Sequence, residues 1–264
     1  MTAHSFWFYW LALFGVILGR YFLLAGGTYL LFYPILGKSF QKQGLLLKAP
    51  LWKSIRLDIE LSILSAVIFA FCAAFIVTEY DWGGTLLYTD LRKYGLYYLG
   101  VSFVAVLILQ DTYFYFIHRV FHHPLFFKWL HQGHHRSGKP TPWTSFAFDP
   151  LEAVFQSLFF IGIVFIVPLH FITLVAVLMT MTVWAIITHL GFELFPSSLS
   201  RHLGKWFIGP THHSIHHRKY AVHYGLYFTF WDKLLGTHDP IYDQRLEVRS
   251  QKSEVRSRKL EVRS

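Results

Sequence analysis

Long apolar runs alternate along this chain with short charged segments. A helix that crosses a membrane needs about 20 mostly apolar residues. Residues 6–33 meet that length, interrupted by Arg20 and the pair Gly26 and Gly27. Residues 57–78 form a second run, with Asp58 and Glu60 at its start, and residues 94–117 a third. Residues 151–189 are too long for one crossing and carry Pro168 near the middle, which predicts two helices turning around residues 167–170. The pattern predicts an all-α integral membrane helical bundle of four to five spans, four if the first run lies in the interface. The first run is not expected to be a signal peptide, because no basic segment precedes it and it is too long.

The connecting segments give an orientation. Residues 37–56 hold Lys38, Lys42, Lys48, Lys53 and Arg56 with no acid, which places them on the cytoplasmic side. Residues 79–93 hold Glu79, Asp81 and Asp90 against Arg92 and Lys93 and are expected outside. Arg119, Lys128, Arg136 and Lys139, and later Arg201, Lys205, Arg218, Lys219 and Lys233, return to the inside. The alternation puts the N-terminus outside. The final stretch repeats Glu-Val-Arg-Ser at 247–250, 254–257 and 261–264. It has too little apolar content to bury, so residues 241–264 are expected to form a disordered basic tail.

Composition narrows the class. The 264 residues are 54% hydrophobic and 15% charged, with mean hydropathy +0.39, whereas soluble domains carry about 25% charged residues. Soluble, disordered and collagen-like classes are thereby excluded. Cys72 is the one cysteine, which excludes an intramolecular disulfide and any multi-cysteine zinc site. The net charge of +9 sits between apolar runs and no nucleic-acid motif accompanies it, so it reads as membrane topology rather than as a nucleic-acid surface.

Histidine is the anomaly. Of 16, all but His4 lie from residue 118 onward. His118 and His122 are four apart, on one face of a helix that Pro124 then breaks. His131, His134 and His135 follow, and would share a face if helical, although Gly133 weakens a helix there. His213, His216 and His217 repeat that spacing, and His189 closes the fifth apolar run with Glu193 four residues later. Neutral imidazole is a common ligand for iron, zinc, copper and nickel. Histidinium at a partly desolvated span end is costly, so neighbouring rings should be neutral, with metal coordination as a partner for their lone pairs. Eight or nine rings exceed the needs of one tetrahedral ion, and two metals is the natural count. His4, His170, His202 and His238, and more weakly His123 and His212, read as ordinary structural residues. Asp111 and Glu193 are expected to orient ligand rings, Asp111 by accepting a ring N–H, with capping or pairing to Arg119 as its plainer alternative.

The strings His118-x-x-x-His122, His131-x-x-His134-His135 and His213-x-x-His216-His217 resemble the histidine boxes of the fatty acid hydroxylase/sterol desaturase superfamily. The short gap between the first two boxes also resembles it. So does the closing string from Tyr224-Gly225 through Phe230-Trp231-Asp232-Lys233 to Gly236-Thr237. The resemblance covers about residues 94–240. It implies a di-iron site on the cytoplasmic face, in a histidine-rich helical cap. It also implies O2-dependent hydroxylation, desaturation or ether cleavage of a lipid. The implied ligands are His118, His122, His131, His134, His135, His213, His216 and His217, with His189 as an additional one. Some relatives carry histidine before the Pro-x-Glu of Asp149-Pro150-Leu151-Glu152, and asparagine where His223 stands.

The resulting organisation is membrane helices over 1–93, a catalytic unit over 94–240 and the tail. No GxGxxG or evident flavin site is present, so electrons are expected from an external cytochrome or ferredoxin with its reductase; basic residues such as Arg136, Lys139, Arg218 and Lys219 read equally as its docking surface and as lipid-headgroup contacts. A bacterial inner membrane and an endoplasmic reticulum fit equally. The rivals are a b-type cytochrome, a histidine-rich metal transporter and a zinc hydrolase.

Overall fold

The computed structural model describes residues 4–37, 51–193, 199 and 202–242. Lys38, Lys42, Lys48, Arg201 and the tail from residue 243 lie outside them. In chain order the elements are helix α1 (Phe6–Ile35), α2 (Trp52–Asp81), strand β1 (Leu87–Tyr88), α3 (Gly95–Phe121), α4 (Pro124–Leu130) and α5 (Gln132–His135). A 3-10 turn (Pro142–Phe146), α6 (Pro150–Ile166), strand β2 (Leu169–His170), α7 (Phe171–Thr188), α8 (Pro210–Lys219) and α9 (Phe230–Leu234) complete them.

By length and composition α1, α2, α3 and α7 can cross a membrane, so the architecture is an all-α membrane bundle. The long 151–189 run divides into α6 and α7 at the expected turn. With 17 residues, α6 is about 25 Å long and falls short of a bilayer core of about 30 Å. α1 loosens into π-helical turns at Phe22–Gly26 and Leu31–Ile35, the second containing Pro34, whose ring cannot fit a regular ladder.

Several contacts define one end of the bundle. The Tyr9 hydroxyl donates to the Asp81 carboxylate. β1 and β2 pair in parallel, Leu87 with Leu169 and Tyr88 with His170, which joins the α2–α3 and α6–α7 connections. His170 Nε2–H donates to Thr89 O at 2.8 Å. All other described histidines except His4 belong to segments at the opposite end. Between the ends, Ile76, Val106, Val164, Leu169, Leu174 and Val177 form the apolar core.

The segment 137–148 is irregular backbone inside this bundle, which is tolerated at membrane depth only where protein satisfies its polar groups. Asp58 on α2 accepts from Ser137 Oγ at 2.6 Å and Thr144 Oγ1 at 2.7 Å. Tyr21 OH donates to Trp143 O at 2.9 Å, and Ser65 Oγ to Phe148 O at 3.0 Å. The Trp143 indole lies so close to α1 that a Cβ on Gly26 would stand 2.8 Å from it. Asp58, in sequence only an interruption of an apolar run, therefore fixes the segment that carries Ala147 and Phe148 to the histidines.

Candidate metal centre

α3 ends at Phe121, because Pro124 cannot continue its ladder, and His123 starts α4 by accepting Leu125 N–H on Nδ1 at 3.3 Å. This gives His123 a capping role. His131 leaves helical geometry (φ −151°, ψ −3°) and separates α4 from the single turn of α5. The expected shared face for His131, His134 and His135 is therefore not found. Successive helical residues point about 100° apart, and here His135 turns to one cluster while His134 turns to another.

The structure gathers His118, His122, His131, His135 and His216 in one cluster, and His134, His189, His213 and His217 in a second. Within each, the offered nitrogens all lie within 4.8 Å of one another. The nine histidines singled out from sequence fall into these two groups. In α8, His213 and His217 are one turn apart and serve the second cluster, while His216 serves the first, so a His-x-x-His-His string feeds two centres.

Hydrogen bonding at the outer nitrogens fixes the tautomers. His118 Nδ1–H donates to Tyr224 O at 2.9 Å, His134 Nδ1–H to Ala147 O at 3.1 Å, His189 Nδ1–H to Ala185 O at 2.6 Å and His216 Nδ1–H to Val222 O at 2.7 Å. Carbonyls only accept, so these four rings carry their proton on Nδ1 and turn an Nε2 lone pair inward. His131 Nδ1–H meets Glu152 Oε2 at 2.8 Å, with both side chains buried. The inward nitrogens crowd: His134 and His189 approach to 3.4 Å and His118 and His131 to 3.0 Å. His189 and His213 approach to 2.9 Å, and His135 and His216 to 3.0 Å. In the first two of these pairs both rings carry their proton on Nδ1, so two lone pairs face each other and cannot hydrogen-bond. A cation between them removes the repulsion. With metal–nitrogen bonds of about 2.1 Å, ligands lie about 3.0 Å apart at right angles and about 3.4 Å apart in a tetrahedron. The donor set and its spacing fit metal ions.

Burial pushes the proton affinity of the loop and α8 rings down, to about 4 for His134 and about 3 for His216. Burial and the neighbouring histidines lower His131, His213 and His217 well below the ordinary value. The rings are neutral at pH 7, the form a metal requires.

Asp111 and Glu193 each tie distant segments together. Asp111 binds backbone: its Oδ1 accepts the N–H groups of Leu226, Tyr227 and Phe228 at 3.1, 2.7 and 3.1 Å. It acts one step away, by holding the loop whose Tyr224 carbonyl orients His118. Asp232 grips the same loop through Tyr224 and Gly225 N–H at 2.8 and 3.0 Å, and a Cβ on Gly225 would stand 2.4 Å from Phe228 O. Glu193 accepts from Thr211 Oγ1 at 2.8 Å, which ties the first turn of α8 to the segment after His189. Glu152 is a carboxylate that orients a ring, that of His131, and it is visible in sequence only as part of Asp149-Pro150-Leu151-Glu152. Asp149 receives Gly133 N–H at 2.6 Å, and a Cβ on Gly133 would stand 2.3 Å from its Oδ1. The glycine that weakens the helix is what lets this loop close.

His212, His223 and His238 form a third trio. Here His212 Nδ1 accepts Gly209 N–H at 3.1 Å, so its proton sits on Nε2. That tautomer offers the trio a donor where a metal needs a lone pair, and it sets this group apart from the other two.

The fatty acid hydroxylase family matches residues 103–237, just over half of the chain. The chain belongs to this family. Its matched segment runs from the middle of α3 to Thr237 and holds all of both clusters. Among curated relatives, a Delta(7)-sterol 5(6)-desaturase of Gibberella zeae is 32% identical over 168 residues, 61% of this chain and 51% of its own length. Human lathosterol oxidase is 37% identical over 157 residues, 59% of this chain and 51% of its own length. A probable Delta(7)-sterol 5(6)-desaturase of Neurospora crassa is 31% identical over 227 residues, 86% of this chain and 61% of its own length. The chain thus spans roughly half to three fifths of these relatives. No solved structure matches it.

Proposed function

We propose that this family member is a membrane-bound di-iron oxidoreductase that hydroxylates or desaturates a lipid, using O2 and electrons from an external donor. The observation that carries the reading is the pair of buried clusters whose inward nitrogens crowd together, five of them turned inward as lone pairs by hydrogen bonds at Nδ1. The sterol-modifying names of the relatives support a lipid substrate. His118, His122, His131, His135 and His216 would hold one ion, and His134, His189, His213 and His217 the other. Bound iron supplies O2 reduction coupled to hydrogen removal from an unactivated C–H bond.

The chain's own residues provide the setting. Tyr224, Ala147, Ala185 and Val222 carbonyls and Glu152 fix ring orientation. Phe148 stacks on His134 with centroids 5.7 Å apart and covers that ring with an apolar face. The loop charges support an active site at the cytoplasmic face. Arg136 and Lys139 are exposed there for an acidic cytochrome or ferredoxin, whereas Lys219 pairs with Asp239. Ring nitrogens only 2.9–3.4 Å apart leave no room for a porphyrin plane, which counts against a bis-histidine haem.

His118→Ala and His134→Ala test the reading, one from each cluster. Each variant should lower the iron-to-protein ratio and abolish lipid turnover, and turnover by the wild type should stop without O2. Retention of iron and activity in both variants would overturn the proposal.

A further inference from the structure

His118 and His216 meet in the five-histidine cluster with ring centres 4.6 Å apart. Both take their orientation from one short stretch of backbone. Val222 O accepts His216 Nδ1–H at 2.7 Å, and Tyr224 O accepts His118 Nδ1–H at 2.9 Å. His223 lies between those two carbonyls, and its backbone is left-handed, with φ +57°. Rotation about a residue's N–Cα bond swings the peptide unit before it, so this angle sets where the Val222 carbonyl points relative to the Tyr224 carbonyl. An ordinary helical φ of about −63° would turn that unit by about 120° and take Val222 O away from the His216 ring.

The backbone on either side is anchored. His223 N–H donates to Thr237 O at 2.9 Å, Tyr224 N–H to Asp232 Oδ1 at 2.8 Å and Gly225 N–H to Asp232 Oδ2 at 3.0 Å. The side chain is not anchored in that way. The His223 ring is buried and edge-on to His212 and His238, with centres 4.9 Å from each, and neither of its nitrogens has a hydrogen-bond partner among the described residues. What sets the position apart is its backbone. Left-handed φ is uncommon outside glycine, best tolerated by asparagine, aspartate and histidine and worst by β-branched residues. We infer that His223 is a positioning residue for the ion of the five-histidine cluster: its left-handed backbone aims two carbonyls at His216 and His118, and so turns both Nε2 lone pairs inward together. A residue that resists that φ misaims the Val222 carbonyl and frees the His216 ring. It weakens one ion and spares the other, because His134 and His189 are oriented by Ala147 and Ala185. That an ion lies there rests on the function proposed above; the aim of the two carbonyls does not.

Variants of the full-length protein separate backbone from side chain. His223→Gly removes the ring and adopts left-handed φ freely, and His223→Asn tolerates it. His223→Val fills more of the space than glycine but resists that φ. Iron per chain is read on purified protein under chelator competition. His223→Gly and His223→Asn should release both ions close to the wild-type chelator concentrations. His223→Val should release one ion at about tenfold or more lower chelator and hold the second as before. If His223→Val does not fold, His223→Ala takes its place, and should release one ion at lower chelator than His223→Gly does. Release from His223→Gly as early as from His223→Val or His223→Ala would overturn the inference, since packing of the ring would then be what matters. Parallel loss of both ions in His223→Val, or release curves alike in all variants, would overturn it too. A wild type that binds fewer than two ions would instead refute the di-iron reading, which keeps the two failures apart.

Discussion

Glu152→Gln should weaken one ion and spare the other. Glu152 is 1% exposed and its Oε2 stands 2.8 Å from His131 Nδ1, in the five-histidine cluster. Glutamine keeps the length and an accepting oxygen, so the ring stays oriented, while the charge Glu152 takes on beside a bound cation is lost; burial alone raises its proton affinity well above the ordinary carboxylate value. That charge lies about 6 Å from a metal bound at Nε2, where an effective dielectric of about 20 gives an attraction of several kcal/mol for a divalent ion. Desolvation of the buried carboxylate offsets part of it. Loss of such an outer partner typically weakens metal binding about 10–100-fold, or about 1.4–2.7 kcal/mol. The assay is chelator competition on purified protein, reading iron per chain. The wild type should release its two ions over similar chelator concentrations. The variant should release one at about 10–100-fold lower chelator and hold the second as before. Superimposable release curves would refute the role given to Glu152, and loss of both ions together would refute the assignment of two separable clusters.

Gly133→Ala would put a Cβ 2.3 Å from Asp149 Oδ1, so either the Asp149 carboxylate swings away and releases the Gly133 N–H or the loop carrying His134 and His135 moves. Overpacking of this kind costs about 1–3 kcal/mol, seen as a lower melting temperature together with reduced iron binding; an unchanged Tm would contradict the close approach. The metal-free protein should lose stability as pH falls. Burial puts the folded-state values of His134 and His216 at about 4 and about 3, below the unfolded value of about 6.5, so the unfolded chain takes up protons first. Stability is full above pH 6.5 and declines towards pH 4, and thermal melts of chelated protein across that window should show it.

The nine clustered histidines were legible because their spacing is a local property. A four-residue interval puts two rings on one helix face, and an adjacent His-His pair points two ways. The membrane helices were legible for the same reason, since an apolar run long enough to span is visible without knowing its neighbours. Glu152 was not legible as a ring partner, because 21 residues and a change of helix separate it from His131. Asp111 was not legible as a loop anchor, because the backbone amides its Oδ1 accepts lie more than a hundred residues later.

Sequence alone determined the residue types, the spans and the alternation of loop charge, since each follows from composition and period within one segment. The tertiary structure decided the rest: the division of the histidines between two centres and the carbonyls that set the tautomers of four of them. Those depend on which segments meet, and among the described residues the meeting is arranged by buried anchors, Asp58 under the 137–148 segment and Asp111 and Asp232 under the closing loop. A polar group sealed in an apolar bundle must find its partner wherever the chain brings one, and no local pattern announces where that will be.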